Sequence, residues 1–171
     1  IPQNAKLTPW PDDLLKRWEA LSDDEKKMFK RQVNVYAAYL AYTDHEVGRV
    51  IQAVEDLGQR DNTLIVYITG DNGPSSEGLR NGTPNELTAF NGVAMEVKPQ
   101  LLWYPFWGSD KTFPHFAAGW AWAMATPFKW VKQVASHYGG TAQGMAVSWP
   151  ARIKDAGGIR HQFHHVIDIA P

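Results

Sequence analysis

The sequence of 171 residues contains no cysteine, which excludes disulfide bonds, thiolate metal sites and cysteine nucleophiles within it. No apolar run approaches the roughly 18 residues of a transmembrane helix, and the first residues lack the basic and apolar regions of a signal peptide. A formal net charge of −1 gives no overall attraction to nucleic acid or to an anionic membrane. We therefore expect neither as a partner, while the absence of cysteine leaves the compartment open.

What the sequence does contain is typical of a globular domain. Hydrophobic residues make up 44% of it and charged residues 20%, and a chain of this length can bury a sizeable core. It opens without an initiator methionine and stops at HHVIDIAP, in the middle of what reads as an element. We interpret residues 1–171 as one incomplete segment of a larger domain.

Capping residues and apolar spacing predict helices in the first third of the chain. Pro-Asp-Asp at 11–13 is typical of a helix start, with proline in the first turn and acids near the positive end. Ser22 and Glu25 form a capping-box pattern that begins a second helix. Apolar residues then recur at a helical period over 36–57, and Gly58 fits a C-terminal cap.

Two short apolar runs predict β-strands, LIVYIT at 64–69 and MAVSW at 145–149. The first run has almost no polar alternation, which is typical of a strand covered on both faces in a parallel sheet. We expect the second run to be a buried strand as well, and residues 70–92 to be a long loop. The predicted fold class is α/β, with a mostly parallel sheet covered by helices on both faces.

Asp71 and Asn72 follow the first predicted strand. Asp-Asn-Gly is a favoured turn sequence, so a plain turn is one interpretation. A ligand site is the other, because ligands of open α/β sheets bind beyond the carboxyl ends of the strands. Carboxylate and amide oxygens suit Ca²⁺ or Mg²⁺, but Ca²⁺ takes about six to eight oxygens, so these two residues cannot complete a site.

Four motifs follow one another along the chain: ITGDNGPSSEG, NGTPNE, GWAWAMATPFKWVKQVASHYGG and MAVSWPARIKDAGGIRHQFHHVIDIAP. In this order and spacing, they resemble the C-terminal part of the catalytic domain of bacterial arylsulfatases. These are members of the sulfatase family in the alkaline phosphatase-like superfamily. The resemblance covers most of the chain from about Tyr36 onwards. It implies part of an alkaline phosphatase-like α/β/α sandwich and the hydrolysis of small-molecule sulfate esters. It decides neither the natural substrate nor the choice between bacterial periplasm and cytoplasm.

The resemblance also implies roles for individual residues. Asp71 and Asn72 match the family's strand-end ligands to a divalent cation, usually calcium, with magnesium as the alternative. Lys132 matches a lysine that contacts the sulfate, and a compact ammonium suits the charge of a transferring sulfuryl group. Lys129, three residues away, would share a face with Lys132 on a helix. His137 either lines the same pocket or has a structural role.

The family's nucleophile is a formylglycine made from the first residue of a Cys/Ser-x-Pro-x-Arg motif. SWPAR at 148–152 formally fits the serine form, but it follows an apolar strand instead of opening a helix towards an anion. We therefore expect formylglycine, the remaining metal ligands and the general-acid histidine in a missing N-terminal half, and an inactive chain in isolation. The alternatives are a phosphonate or phosphate ester hydrolase of the same superfamily, and a non-catalytic fragment.

The sequence does not assign a role to three further features. The aromatic stretch 103–122 either packs in the core or forms an apolar wall for an aryl leaving group. Where relatives usually carry Arg-Asn after Gly-Gly-Thr, this chain has Ala142-Gln143. No spacing among the remaining histidines after position 100 compels a metal site; these are His115, His161, His164 and His165.

Overall fold

The computed structural model describes residues 4–169, as a mixture of helices and a small sheet. Its α-helices and strands are, in chain order, α1 (Asp23–Asp56), β1 (Ile65–Ile68), α2 (Glu86–Phe90), α3 (Val97–Gln100), α4 (Ala118–Ala125), α5 (Tyr138–Thr141) and β2 (Met145–Ser148). Short 3-10 helices lie at Trp18–Ala20, Arg60–Asn62, Leu101–Phe106 and Val166–Asp168. The last of them falls in the HHVIDIA segment, whose Ala170 lies outside the described residues.

Helix α1 begins as the sequence predicts. The Ser22 hydroxyl accepts from the Glu25 N–H at 3.2 Å, and the Glu25 carboxylate accepts from the Ser22 N–H at 2.7 Å, which confirms the capping box. Gly58 follows the C-cap with a φ of +67°, so the predicted helix end is confirmed too. The second half of α1 leaves apolar side chains such as Tyr39 and Val50 exposed, at 65% and 68%.

The helix predicted from Pro-Asp-Asp at 11–13 is wrong, because this segment forms turns followed by one short 3-10 helix. The Trp10 indole N–H donates to the Leu15 carbonyl at 2.9 Å, and Arg17 forms a 2.5 Å ion pair with Asp12. The Trp10 side chain thus occupies the Leu15 carbonyl, a backbone group that a continuing helix would use in its own ladder.

The loop predicted over 70–92 is interrupted by the short helix α2. The Asn85 side chain accepts from the Leu87 N–H at 3.1 Å and so caps the start of this helix. Asparagine is among the residues preferred at that position. The prediction of an unbroken loop is therefore wrong for the α2 residues.

The two strands form where the sequence predicts them, but their environment differs from the prediction. Strand β1 pairs with β2 in antiparallel register, with Ile65 opposite Ser148 and Ile68 opposite Met145. Three of the four residues of β2 are exposed. In β1, the first three residues are half-buried and Ile68 is exposed. The expected burial of β2 is therefore wrong, and over residues 4–169 the sheet is a two-stranded antiparallel pair. Nothing in the described segment covers both faces of this pair.

Buried residues of α1, α3 and the segment around α4 form the main core. Its members are Met28, Phe29, Val97, Trp107 and Ala117, and a second cluster contains Ala121, Ala125 and Val131. Two buried glutamines tie the loop after β1 to this core. The Gln32 amide donates to the Asn81 carbonyl at 2.7 Å and accepts from the Ala117 N–H at 2.9 Å, while Gln100 donates to the Gly82 carbonyl at 2.9 Å. Over residues 4–169, no helix combines the length and apolarity needed to cross a bilayer.

Candidate metal and anion site

Asp71 and Asn72 lie just beyond the carboxyl end of β1, as the sequence predicts. Asp71 is exposed and Asn72 is half-buried. Within residues 4–169 neither side chain makes a hydrogen bond or an ion pair, so both leave their oxygens free. The same range contains no group of three or more His, Asp or Glu side chains that could hold a metal ion. The two residues can therefore form one part of a cation site, with further ligands supplied from elsewhere.

The loop that carries Asp71 and Asn72 is joined backbone to backbone with the segment that carries Lys132. The Gly73 N–H donates to the Gly140 carbonyl at 2.9 Å, and the Lys132 N–H donates to the Pro74 carbonyl at 3.0 Å. A Cβ on Gly73 would overlap the Gly139 carbonyl oxygen. This approach requires glycine at position 73, and it brings together two sequence motifs that are about 60 residues apart.

The Lys132 ammonium forms an ion pair with Glu77 in the loop after Asn72. Its Nζ lies 3.3 Å from Glu77 Oε2. The same carboxylate accepts from the Ser75 hydroxyl at 2.6 Å and, at its other oxygen, from the Gln133 amide at 2.8 Å. The Ser75 hydroxyl and then the Lys132 ammonium hold the pKa of Glu77 below its usual value, while burial opposes them. Sequence reasoning missed Glu77, although it is the one acidic residue in PSSEG.

His115 extends this network on the side of Ser75. Its Nε2 lies 2.9 Å from the Ser75 hydroxyl, and its Nδ1 lies 3.1 Å from the Phe116 carbonyl oxygen. The His115 backbone is fixed by two hydrogen bonds of 2.9 Å with Thr83. His115 thus supports the loop of Ser75 through hydrogen bonds. No local sequence pattern could reveal this contact, because the two residues are 40 positions apart.

The prediction that Lys129 and Lys132 share one face of a helix is wrong. Residues 126–137 form turns, and positive φ angles at Trp130 (+67°) and Gln133 (+77°) are incompatible with a continuous helix. The Lys129 ammonium lies 5.8 Å over the Trp130 ring, whereas Lys132 faces Glu77. The two ammonium groups therefore have different partners, an indole ring for Lys129 and a carboxylate for Lys132.

His137 lies directly before α5, close to the Lys132 segment. Its ring centroid is 6.3 Å from that of Trp130, and its backbone N–H donates to the Val134 carbonyl at 3.2 Å. Within the described range its half-buried side chain makes no hydrogen bond. These contacts fit a packing role, and a direct role in binding stays a prediction.

Ser148 and Gln143 mark the two ends of the strand pair. Ser148 is opposite Ile65, the first residue of β1, so it lies roughly 10 Å along the strand from Ile68 at the other end. This position is remote from Asp71 and argues against Ser148 as a nucleophile precursor. Gln143 accepts a weak 3.5 Å hydrogen bond from the Thr69 hydroxyl beside the strand end.

The aromatic stretch 103–122 divides between the core and the surface. Trp107 is 2% exposed and Trp122 is 8% exposed, which confirms core packing for these two residues. Trp103 is 42% exposed, and Trp120 lines a cavity. The stretch therefore does not form one continuous wall.

Comparisons with known proteins find two sulfatases that are similar to this chain. The chain is 29% identical over 167 residues to an arylsulfatase of Klebsiella aerogenes, an alignment that covers 96% of this chain and 33% of the relative. It is 27% identical over 175 residues to an uncharacterized sulfatase of Schizosaccharomyces pombe, covering 100% of this chain and 29% of that protein. The chain thus spans about a third of the length of these relatives, and no solved structure matches it.

The sequence model of the sulfatase family matches residues 6–171, which is nearly the whole chain. This match implies an alkaline phosphatase-like fold for the domain to which the chain contributes. At the level of the family, it indicates a sulfuric ester hydrolase. The chain therefore belongs to the sulfatase family.

Proposed function

We propose that this chain supplies one side of the active site of an arylsulfatase, a hydrolase of small-molecule sulfate esters. Asp71 and Asn72 bind a divalent cation, calcium or magnesium, and Lys132 contacts the sulfate group. The observation that carries the proposal is the pair of backbone hydrogen bonds between the two loops, Gly73 to Gly140 and Lys132 to Pro74. They hold the candidate ligands and the candidate cationic side chain in one part of the molecule.

The chemistry of the two free side chains fits a hard cation. A carboxylate and an amide oxygen are ligands that Ca²⁺ and Mg²⁺ prefer, and neither is occupied by another group in residues 4–169. When bound, such a cation stabilises negative charge on the sulfate oxygens. Asp71 and Asn72 hold it at the strand end, and the other ligands come from outside this pair.

Lys132 stabilises the same negative charge from the protein side. Its ammonium is half-buried, with 35% of the side chain exposed, and Glu77 holds it next to the loop of the metal ligands. A positive charge fixed in this way needs little reorganisation when negative charge develops on the sulfuryl group. The singly charged sulfate group of an arriving ester gives the ammonium a second anionic partner in competition with Glu77.

The nucleophile of the proposed reaction does not come from the described part of this chain. There is no cysteine in the sequence, and Ser148 lies at the opposite end of β1 from Asp71. We therefore assign formylglycine to another part of the complete enzyme. We also propose that β1 and β2 join a larger, mostly parallel sheet there, because the apolar side chains of β1 need cover on both faces.

Calcium titration of a longer polypeptide that contains this chain and the remaining ligands, followed by thermal unfolding, tests the cation site. At a calcium concentration about 100 times the Kd, the free energy of unfolding rises by about 2.7 kcal/mol, which raises the melting temperature. We expect Asp71→Ala to lose this increase and Asp110→Ala, in an exposed turn, to keep it. Equal melting curves of the wild-type polypeptide with and without calcium would contradict the proposal.

Activity is tested in a longer polypeptide that contains this chain together with a Cys/Ser-x-Pro-x-Arg motif. We expect faster turnover of nitrophenyl sulfate than of nitrophenyl phosphate or phosphonate esters, and a loss of at least tenfold in kcat/KM for Lys132→Gln. Lys129→Gln is the matched control, because its ammonium stacks on Trp130 and not at the site. A preference for phosphonate esters would favour the alternative function, a phosphonate ester hydrolase of the same superfamily.

A further inference from the structure

The His115 ring lies between two hydrogen-bonding partners, the Phe116 carbonyl at Nδ1 and the Ser75 hydroxyl at Nε2. A carbonyl oxygen only accepts hydrogen bonds, so the 3.1 Å contact with Phe116 places a proton on Nδ1. In a neutral ring with this proton, Nε2 has only a lone pair and must accept. The state of Nε2 therefore depends on whether Ser75 has a proton to donate.

The single proton of the Ser75 hydroxyl is already used by Glu77. The hydroxyl oxygen lies 2.6 Å from Glu77 Oε2, and an ionised carboxylate only accepts. The Lys132 ammonium and the Gln133 amide also donate to this carboxylate, at 3.3 and 2.8 Å, which agrees with an ionised group. Ser75 therefore has no proton left for His115, and Nε2 must donate across the 2.9 Å contact.

Protons on both ring nitrogens of His115 satisfy every hydrogen bond in this series. Nδ1 donates to Phe116, Nε2 donates to Ser75, and Ser75 donates to Glu77. The Ser75 oxygen has two lone pairs, and the second accepts from the Glu77 N–H at 3.2 Å. A neutral ring cannot make all of these hydrogen bonds, because one of its nitrogens then lacks a proton. When the ring loses a proton, one hydrogen bond must therefore be exchanged.

The packing around His115 decides which hydrogen bond is exchanged. A Cβ on Gly78 would overlap the Phe116 carbonyl oxygen and would lie 2.8 Å from Nδ1 of His115. The loop backbone thus covers this side of the ring, and a carbonyl left there without its donor would be poorly hydrated. On the other side, the Ser75 hydroxyl can rotate from Glu77 to Nε2 without moving a heavy atom. Loss of a ring proton is therefore answered at Ser75.

Over residues 4–169, the charged groups that hydrogen bonds link to His115 both belong to the candidate anion site. Glu77 is linked to the ring through Ser75, and Lys132 lies beyond Glu77. Arg80, another charged residue of the loop after β1, makes no hydrogen bond to the ring. A change of charge on His115 therefore acts first on the Glu77 carboxylate.

We propose that His115 is a positioning residue for Lys132, because its protonation decides whether the Ser75 hydroxyl binds Glu77 or the imidazole. With both ring nitrogens protonated, the hydroxyl neutralises part of the charge at Glu77 Oε2, and Lys132 is more available to sulfate. With a neutral ring, the hydroxyl leaves this oxygen, and the carboxylate binds the ammonium more strongly. Histidine changes its charge between about pH 5 and pH 8, so sulfate binding weakens as the pH rises through this range. The effect on sulfate rests on the proposed function, whereas the link between His115 and Glu77 does not.

NMR of a longer polypeptide that contains this chain tests the link between His115 and Glu77. We expect the carbon-13 shift of the Glu77 carboxyl carbon to change between about pH 5 and pH 8, at the same midpoint as the nitrogen-15 shifts of the His115 ring. At the acidic end, the two ring nitrogens should have similar shifts, as in a doubly protonated imidazole. His115→Gln offers Ser75 an amide donor that does not titrate, and it should abolish the change at Glu77. His45→Gln, exposed in α1, should keep it.

Ser75→Ala separates a relay through the hydroxyl from a purely structural role of His115. In this variant the His115 ring should still titrate, but the carbon-13 shift of Glu77 should no longer follow it. A constant Glu77 shift in the wild type, or an unchanged response in His115→Gln, would overturn the proposal. If His115→Gln does not fold, Ser75→Ala decides, because an undiminished response of Glu77 in that variant would also overturn it.

Isothermal titration with inorganic sulfate tests the effect on Lys132 in the calcium-loaded longer polypeptide. We expect sulfate to bind about threefold more tightly at about pH 5.5 than at about pH 8, and this ratio to fall in both His115→Gln and Ser75→Ala. An equal ratio in His115→Gln and the wild type would overturn the role of His115 in positioning Lys132. If Lys132→Gln binds sulfate as tightly as the wild type, the proposed function is contradicted instead, and the NMR experiment still decides on His115.

Discussion

The Nζ of Lys132 lies 3.3 Å from Oε2 of Glu77, so the cation proposed to contact sulfate already has an anionic partner. Both side chains are partly exposed, at 35% and 24%. Ion pairs of this kind contribute little net stability, because solvent screens them and ordering the side chains costs entropy. Glu77 therefore holds Lys132 in place without preventing the sulfate group of a substrate from competing for the ammonium.

Glu77→Gln is expected to tighten sulfate binding by about threefold to tenfold at pH 7, since it removes a negative charge that competes for Lys132. Isothermal titration of the calcium-loaded longer polypeptide with sulfate measures the change. The effect should shrink as the salt concentration rises. Glu55→Gln, in the last turn of α1 and in an exposed ion pair with Arg60, is the matched control. Weaker sulfate binding in Glu77→Gln would show that orientation of Lys132 matters more than competition.

The lowered pKa of Glu77 predicts a pH dependence of stability. A carboxyl group whose pKa is lower in the folded state stabilises the fold above the pKa of the unfolded state, about 4.3, and loses this effect as the pH falls through the folded value. The difference in free energy of unfolding between wild type and Glu77→Gln should be constant above about pH 5 and shrink below it. Chemical denaturation from pH 7 to pH 3 measures this difference. A difference that stays constant down to pH 3 would contradict the prediction.

Ser75→Ala is expected to raise the pKa of Glu77 towards its usual value, because the Ser75 hydroxyl is the main group that lowers it. Carbon-13 NMR titration of the glutamate side chains measures the shift directly. Ser76→Ala, at the neighbouring position, removes a hydroxyl that does not contact Glu77 and provides the control. An unchanged pKa in Ser75→Ala would mean that Lys132 is the dominant partner.

Gly73→Ala is expected to separate the loop of Asp71 and Asn72 from the Lys132 segment. The added methyl group would overlap the Gly139 carbonyl oxygen, and backbone must move to relieve the clash. We expect a loss of about 1–3 kcal/mol in stability, as for other overpacked sites, together with loss of the calcium response. Gly144→Ala is the control, because no atom lies within 4 Å of its added Cβ. Normal melting and calcium binding in Gly73→Ala would show that the contact is dispensable.

Gln32→Leu is expected to destabilise the chain by about 1–3 kcal/mol, because a backbone group is left unpaired in the core. This group is the Ala117 N–H, which donates to the Gln32 amide, whereas the Asn81 carbonyl keeps its hydrogen bond from the Gln100 amide at 3.2 Å. Urea denaturation gives the change in free energy of unfolding. Gln52→Leu, on the exposed part of α1, should change it by less than about 0.5 kcal/mol. Equal effects of the two substitutions would contradict a structural role for Gln32.

Local signals predicted the parts of the fold whose interactions are local. The capping box of Ser22 and Glu25, the glycine cap at Gly58 and the two strands depend on residues within a few positions of each other. The helix predicted at 11–13 failed because the Trp10 indole occupies the Leu15 carbonyl, a contact that composition does not reveal. Within residues 4–169 the strands form only an antiparallel pair, and the predicted parallel sheet stays a prediction, because the neighbours and cover of a strand come from other parts of a sheet.

The sequence by itself determined the family, the position of Asp71 and Asn72 after a strand, and the choice of Lys132 as the basic residue of interest. Each of these follows from motifs in a fixed order along the chain. The tertiary structure alone decided that Lys132 pairs with Glu77, that His115 supports Ser75, and that Arg80 shares a cavity with three tryptophans. These contacts join residues 40 to 110 positions apart. Their geometry depends on the close backbone approach at Gly73 and on the hydrogen bonds of the buried glutamines.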